Sequence, residues 1–241
     1  MVEYLDHQII KSLNHQIIKS LNHQIIKLLN HQIIKSINIY SARKVQAAPD
    51  WEKADRLRDF TCPWSPGTPP EMMFRALWDE QWFYFRFDIA GSGILTFANT
   101  NHKMEVVDSD RVEIFFRTNS QLNPYYCLEL DPLGRILDYK ARYYRQFEYE
   151  WQWPGEKQLI VSATFTEGGY SVEGSITLES LKQLDLLHNN ELQAGLFRGE
   201  CLKLPDPESA FNWISWVQPH SLHPDFHIPS SFGIIKLVIA D

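Results

Sequence analysis

The chain has 241 residues, 44% of them hydrophobic and 13% aromatic, and a formal charge of −7. That length carries one domain with a substantial core. The acidic balance, with no run of Lys or Arg, excludes a nucleic-acid surface and disfavours an anionic membrane, since both need gathered positive charge.

The first element in chain order is a repeat. Residues 7–38 read HQIIKSLN, HQIIKSLN, HQIIKLLN, HQIIKSIN, four near-perfect copies of an octapeptide. On a helix turning about 100° per residue, eight residues displace the apolar stripe by about 80° with each copy, so no single face stays apolar. A heptad supercoil and a solenoid both fit poorly. The repeat reads better as a recently expanded DNA repeat or a misplaced start codon than as an oligomerisation helix, although Ile, Leu, Lys and Gln tolerate helix. Residues 1–46 are therefore set apart as an N-terminal extension, partly helical or disordered. The opening residues, MVEYLDHQII, lack the basic and small-residue features of a secretory signal, and no stretch approaches 18 apolar residues. Taken from its first residue, the chain is expected in the cytoplasm.

After the polar segment SARKVQAAPDWEKADRLRDF the pattern turns to short runs of Val, Ile, Phe, Tyr and Trp broken by Gly, Pro and acidic punctuation. Strands are predicted over 71–78, 82–89, 111–117, 125–131, 135–143, 159–166, 170–177, 191–198, 211–216 and 234–239. In WFYFRFDI, Phe83, Phe85, Phe87 and Ile89 share one face and Tyr84, Arg86 and Asp88 the other, the alternation of a half-buried strand. Pro132-Leu133-Gly134 and Glu167-Gly168-Gly169 supply tight turns. One short helix over 178–187 is capped by Thr177. Residues 47–241 thus read as an all-β fold, an antiparallel β-sandwich of jelly-roll type. Too few helical patterns exist to cover a parallel sheet.

Within that frame Glu113 and Glu129 fall on one face of their strands, where neighbouring strands would bring two carboxylates together among aromatic rings. Paired acids in a cleft are what glycoside hydrolysis needs. Salt-bridged strand glutamates and ligand hydrogen bonding are equally consistent with the pattern. His220, His223 and His227 have helix-like metal spacing, but Pro219, Pro224 and Pro229 preclude a regular helix, so no metal site is expected. Cys62, Cys127 and Cys201 form no CxxC pair and are read as reduced, mostly packed thiols. No GxSxG elbow, GxGxxG or Walker loop occurs. The tryptophans are more telling. Trp78, Trp82 and Trp216 are read as core, whereas loop aromatics, Phe226 between Pro224 and Pro229 among them, suit flat stacking against a sugar ring.

Six stretches in register, ALWDEQWFYFRFDI, DSDRVEIFF, YYCLELDPLGRILD, GGYSVEGSITLESL, AGLFRGE and FNWISWVQPHSLHPDFHIPSSFGIIKLV, resemble a family 9 carbohydrate-binding module from about Asp50 to the C-terminus. The resemblance implies a non-catalytic β-sandwich that holds an oligo- or polysaccharide, often at a chain end, between two aromatic rings, with calcium in structural loops. It places Phe226 at one sandwiching tryptophan and Glu113 at the acid of the motif. Cys127 and Glu129 fall at polar strand positions and Arg198 at a basic one, with His227 helping to fix orientation. Val107 stands near the second tryptophan, so the clamp is either open on that side or borrows Trp64 or Trp151 for the second ring. The segment AGSGILTFANTN lacks an acidic cluster, so no calcium or other cofactor is expected. Two rival readings remain: a related haem-binding sandwich using Met72, Met73 or Met104 with a histidine, and a hydrolase built on Glu113 and Glu129. The carbohydrate reading requires the Phe226 ring to face open water beside acidic partners.

Overall fold

The computed structural model describes residues 37–239, apart from 47 and 156. The octapeptide copies up to residue 36, and with them the expectation of an expanded or partly helical extension, lie outside the described residues. From Ile39 onward the described chain forms thirteen strands in one sheet: β1 (Ile39–Lys44), β2 (Met72–Trp78), β3 (Trp82–Ala90), β4 (Arg111–Arg117), β5 (Tyr125–Leu130), β6 (Ile136–Arg142), β7 (Gln146–Glu148), β8 (Leu159–Thr166), β9 (Gly169–Thr177), β10 (Leu187–His188), β11 (Glu191–Lys203), β12 (Ala210–Ser215) and β13 (Gly233–Val238). A single α-helix among the described residues, α1 (Leu178–Gln183), follows β9. Its N-cap is Thr177, whose hydroxyl accepts the Ser180 amide at 3.2 Å.

The strand order β7-β6-β5-β4-β11-β13-β1-β2-β3-β9-β8 is a strip that curls into a sandwich. Inward faces of both halves fill one core. Phe83, Phe85 and Phe87 of β3 belong to the same buried cluster as Val112, Ile114 and Phe116 of β4 and Leu128 and Leu130 of β5. The alternation predicted for β3 holds: Phe83, Phe85, Phe87 and Ile89 are buried while Tyr84, Arg86 and Asp88 are half-buried. Trp78 and Trp216 are in the core, and Trp82 is half-buried.

Three strands were not predicted: β1, β7 and β10. β1 was hidden by its polar residues, yet Tyr40 and Ala42 point inward and are buried. It lies parallel to both neighbours, pairing Ala42 with Leu237 of β13 and Arg43 with Leu77 of β2. The sheet is therefore mixed rather than purely antiparallel, and it takes in Ile39–Lys44, ahead of the boundary drawn at residue 47.

Strands β4 and β5 are buried on both faces. Their second face carries Phe115, Tyr125 and Cys127, which join Tyr139 of β6 and Phe197 of β11 in a separate buried cluster. An apolar outer face must be covered. Here a 3-10 turn, Lys103–Asp108, contributes Val106, and the loop between β12 and β13 contributes Phe226 and Phe232. No helix among the described residues is long and apolar enough to cross a membrane.

Candidate functional site

The second face of β4 to β6 is where polar chemistry gathers. Register sets Glu113 opposite Glu129 of β5 on one side and Phe197 of β11 on the other. Arg111 lies opposite Gly199, which in turn faces Trp213 of β12. Period-two alternation therefore projects Arg111, Glu113, Glu129 and Trp213 to the same side. The covering loop adds Asp225, Phe226 and His227, and the β6–β7 hairpin and the residues after it add Arg145, Phe147 and Tyr149. Together with Trp64, Val107 and Tyr139 they line a small cleft of about 190 Å3.

The floor of the cleft is a buried charge cluster. Arg111 Nε donates to Glu129 Oε2 at 2.5 Å, and its Nη1 donates to the Val107 carbonyl at 2.9 Å. Tyr139 donates to Glu129 Oε1 at 2.8 Å. The guanidinium lies 5.0 Å from the Phe211 ring and 5.3 Å from the Trp213 ring, a cation–π arrangement that favours a fixed charge in an apolar setting. Gly199 makes room for it: a Cβ there would sit 3.0 Å from Arg111 Nη1 and 3.2 Å from Trp213.

Glu113 is the unsatisfied member. Its Oε1 lies 3.0 Å from Arg111 Nε, but that N–H is directed at Glu129, and Glu113 Oε1 is left without a hydrogen-bond partner. The residue is 2% exposed. Burial, reinforced by the Glu129 charge and only partly offset by Arg111, pushes its pKa from 4.5 up to about 8. At neutral pH Glu113 is thus mainly a carboxylic acid, able to donate, beside a carboxylate that accepts. His227 is held neutral in the opposite sense. Burial, with Arg145 adding to it, lowers its pKa to about 3. Its ring stacks on Phe115 at 5.1 Å, and its Nδ1 shares a hydrogen bond with the Tyr125 hydroxyl at 3.1 Å.

Glu113, Glu129, His227 and Phe226 are brought together; Cys127 and Arg198 are not. Phe226 is also the main correction, because it is 5% exposed and stacks on Phe197 at 4.1 Å and 13°, with Trp213 edge-on at 5.7 Å. It is a wall of the cleft, packed into the second cluster, and not a platform open to water. Cys127 is fully buried beneath the site, its thiol pKa raised by burial, and does not line the cleft. Arg198 pairs with Val112, so alternation turns it to the opposite face. There Nε and Nη2 bind Asp110 at 3.1 and 2.8 Å, and Tyr170 donates to the same carboxylate at 2.6 Å. That network braces the sandwich interior. Of the two tryptophans considered for the second ring, Trp64 lines the cleft, whereas Trp151 packs on Tyr126 at 4.9 Å in the main core. Tyr139, Arg145, Phe147, Tyr149, Trp213 and Asp225 went unrecognised as cleft residues. Only the apolar residues at both alternations of RVEIFFR and YYCLEL hinted at a covered second face.

Among the described residues, no group of three or more His, Cys, Asp or Glu side chains is placed to hold a metal ion. His220 and His223 are exposed while His227 lies in the cleft. Among the described residues, the buried carboxylate pair Glu105 and Asp131 already holds a side-chain cation and does not fit calcium. The carboxylates of Glu105 and Asp131, which share a buried pocket of oxygens with the Phe97 carbonyl, are bridged by Arg135: Nη1 donates to Glu105 Oε2 at 3.1 Å, Nε to Asp131 Oδ2 at 2.8 Å, and Nη2 to Phe97 O at 2.5 Å. Glu105 also accepts the amides of Asn99, Thr100 and Asn101, so an internal cation already ties this loop down. The methionines of the haem reading lie elsewhere: none lines the cleft, and Met72 is 2% exposed in the main core.

Comparison with known proteins points one way. The profile of the family described as carbohydrate family 9 binding domain-like matches residues 45–240. No curated protein matches the chain. Among solved structures, a protein from Bacteroides uniformis ATCC 8492 for which carbohydrate binding is proposed superposes with a TM-score of 0.63 at 15% identity, covering 84% of this chain and 100% of that one. A family 9 carbohydrate-binding module from Caldicellulosiruptor kristjanssonii in complex with cellotriose superposes with a TM-score of 0.52 at 15% identity, covering 85% and 95% of the two chains. The same organism's module in complex with glucose gives 0.52 and 15%, covering 85% and 97%. At such identity these structures speak for the fold.

Proposed function

The chain belongs to the carbohydrate family 9 binding domain-like family, and from that premise we propose that the cleft binds a glycan, at a chain end, without cleaving it. The observation that carries this reading is the pairing of aromatic walls with a buried polar floor. Trp64, Trp213 and Phe147 are half-buried and line the cleft, offering ring surface to the C–H face of a pyranose. Beneath them Glu129 accepts and protonated Glu113 donates, which matches the amphoteric character of sugar hydroxyls. Glu113 Oε1 is buried without a partner, so a docking hydroxyl reaches it only once the side chain shifts toward the cleft, and the hydrogen bond then formed offsets that shift. The glucose and cellotriose complexes of similar structures support a glucan end as the first ligand to try.

The same floor supports a non-catalytic role. Glycoside hydrolysis places a sugar bond between two carboxyl groups. Here both carboxyl groups converge on one Arg111 nitrogen, at 2.5 and 3.0 Å, so a guanidinium stands where the scissile bond would have to lie. Calorimetric titration with glucose and cellotriose tests the reading. Trp213→Ala is expected to lose about 1 kcal/mol or more of binding, while no reducing sugar is released from either wild type or variant. Unchanged affinity in Trp213→Ala and in Glu129→Gln refutes the cleft as the site.

A further inference from the structure

One lip of the cleft carries features the terminal sugar does not use. Between β6 and β7 the chain turns through residues 143–145, ending on Arg145 in the left-handed region at φ 55°. Tyr143 and Tyr144 are 50% and 53% exposed, with ring centroids 5.3 Å apart and edge to face at 64°. Two neighbouring tyrosines with half their surface in water are a concentrated aromatic patch.

Tyr144 is fixed, and through Asp225 the patch is continuous with the cleft. The Tyr144 hydroxyl donates to Asp225 Oδ2 at 2.7 Å, and Arg145 Nη1 lies 3.3 Å from Asp225 Oδ1. That same oxygen accepts the His227 amide at 2.9 Å. Asp225, Arg145 and His227 all line the cleft. The Arg145 guanidinium also lies against Phe147 at 5.7 Å and Tyr144 at 6.0 Å, joining the cleft wall to the lip. A ring held by its hydroxyl loses little rotamer freedom when a partner lands on it.

We propose that Tyr143 and Tyr144 form a second subsite, stacking the next sugars of an oligosaccharide whose terminal unit occupies the cleft. This rests on the cleft reading above and extends it: the ligand is a chain of at least two or three sugars, and affinity grows with its length. A pyranose leaving the cleft past Asp225 meets aromatic surface on that side, and its hydroxyls meet Arg145 as donor and Asp225 as acceptor.

The test compares glucose with cellotriose, xylose with xylotriose and mannose with mannotriose by calorimetry. Wild type is expected to bind one trisaccharide more tightly than its monosaccharide. The Tyr143→Ala/Tyr144→Ala double variant is expected to weaken that trisaccharide by about threefold to tenfold for each ring engaged, with the monosaccharide affinity unchanged. Tyr144→Phe keeps the ring but frees it from Asp225, and falls between the two. Wild-type affinity of the double variant for the trisaccharide overturns the subsite, and so does an equal loss for mono- and trisaccharide, since the lip would then merely shape the cleft. If wild type binds none of the six sugars, the cleft reading itself fails. Retained monosaccharide binding without any length dependence removes the lip alone.

Discussion

Replacing Glu113 by glutamine probes the floor of the cleft most directly. In the folded protein Glu113 is 2% exposed and holds its proton up to about pH 8, whereas an unfolded chain releases it near 4.5. Because the folded value is the higher one, its contribution is most favourable below 4.5. Stability then falls as pH rises through the window from 4.5 to 8. The slope is at most ~1.4 kcal/mol per pH unit, on the order of 5 kcal/mol across the window. Glutamine has the shape of the protonated acid and does not titrate, so Glu113→Gln removes this slope. The other groups that interact with the carboxyl, Arg111, Glu129, Tyr139 and Cys127, remain in both proteins. The depressed pKa of His227 works in the opposite direction: its contribution is complete above 6.5 and is lost as pH falls toward about 3. That opposing slope is common to both proteins and cancels in their difference. Between pH 6 and 8 the melting temperature of wild type is expected to drop relative to the variant by about 5–10 °C, read by scanning fluorimetry at constant ionic strength. Parallel melting curves over that range would refute a buried, proton-holding Glu113. Sugar affinity follows the same logic: it weakens above pH 8 in wild type and stays level in Glu113→Gln.

Other substitutions separate scaffold from site. Phe226→Ala removes a ring that is 5% exposed and stacked on Phe197; chemical denaturation is expected to show a loss of about 3–5 kcal/mol, and a stability-neutral result would return Phe226 to the role of open platform. Gly199→Ala forces the Arg111 guanidinium to move, since the added Cβ would lie 3.0 Å from Nη1; the expected outcome is ligand affinity reduced more than melting temperature, and an unchanged calorimetric Kd contradicts the close approach. Arg135→Met leaves Glu105 and Asp131 buried without their cation. A cost of about 3–5 kcal/mol is expected, with the 97–105 loop becoming protease-sensitive, and resistance equal to wild type argues that the guanidinium does not tie the loop.

Much of the sandwich was legible because strand periodicity is local. WFYFRFDI can bury Phe83, Phe85 and Phe87 in only one way, and the glycine- and proline-rich turns mark where each strand ends. The placement of Glu113 and Glu129 on one face was legible for the same reason. The loop was not. HPDFHIPSSFG carries no period, so the position of Phe226 depends on what the loop lands on, and that is Phe197, far away in sequence. Arg198 was misplaced by position-wise analogy, although its alternation with Phe197 already assigned it to the opposite face.

Composition and periodicity by themselves determined an acidic, strand-rich, aromatic domain with two carboxylates on one strand face. Tertiary structure alone decided that the second face of β4 and β5 is roofed by the β12–β13 loop, that Arg111 lies beside both glutamates while bonding Glu129, and that burial pushes the Glu113 pKa up. Local alternation says which way a side chain points. Burial and charge balance arise from residues remote in the chain, and they exist only once the sheet has curled and the loop has closed over it.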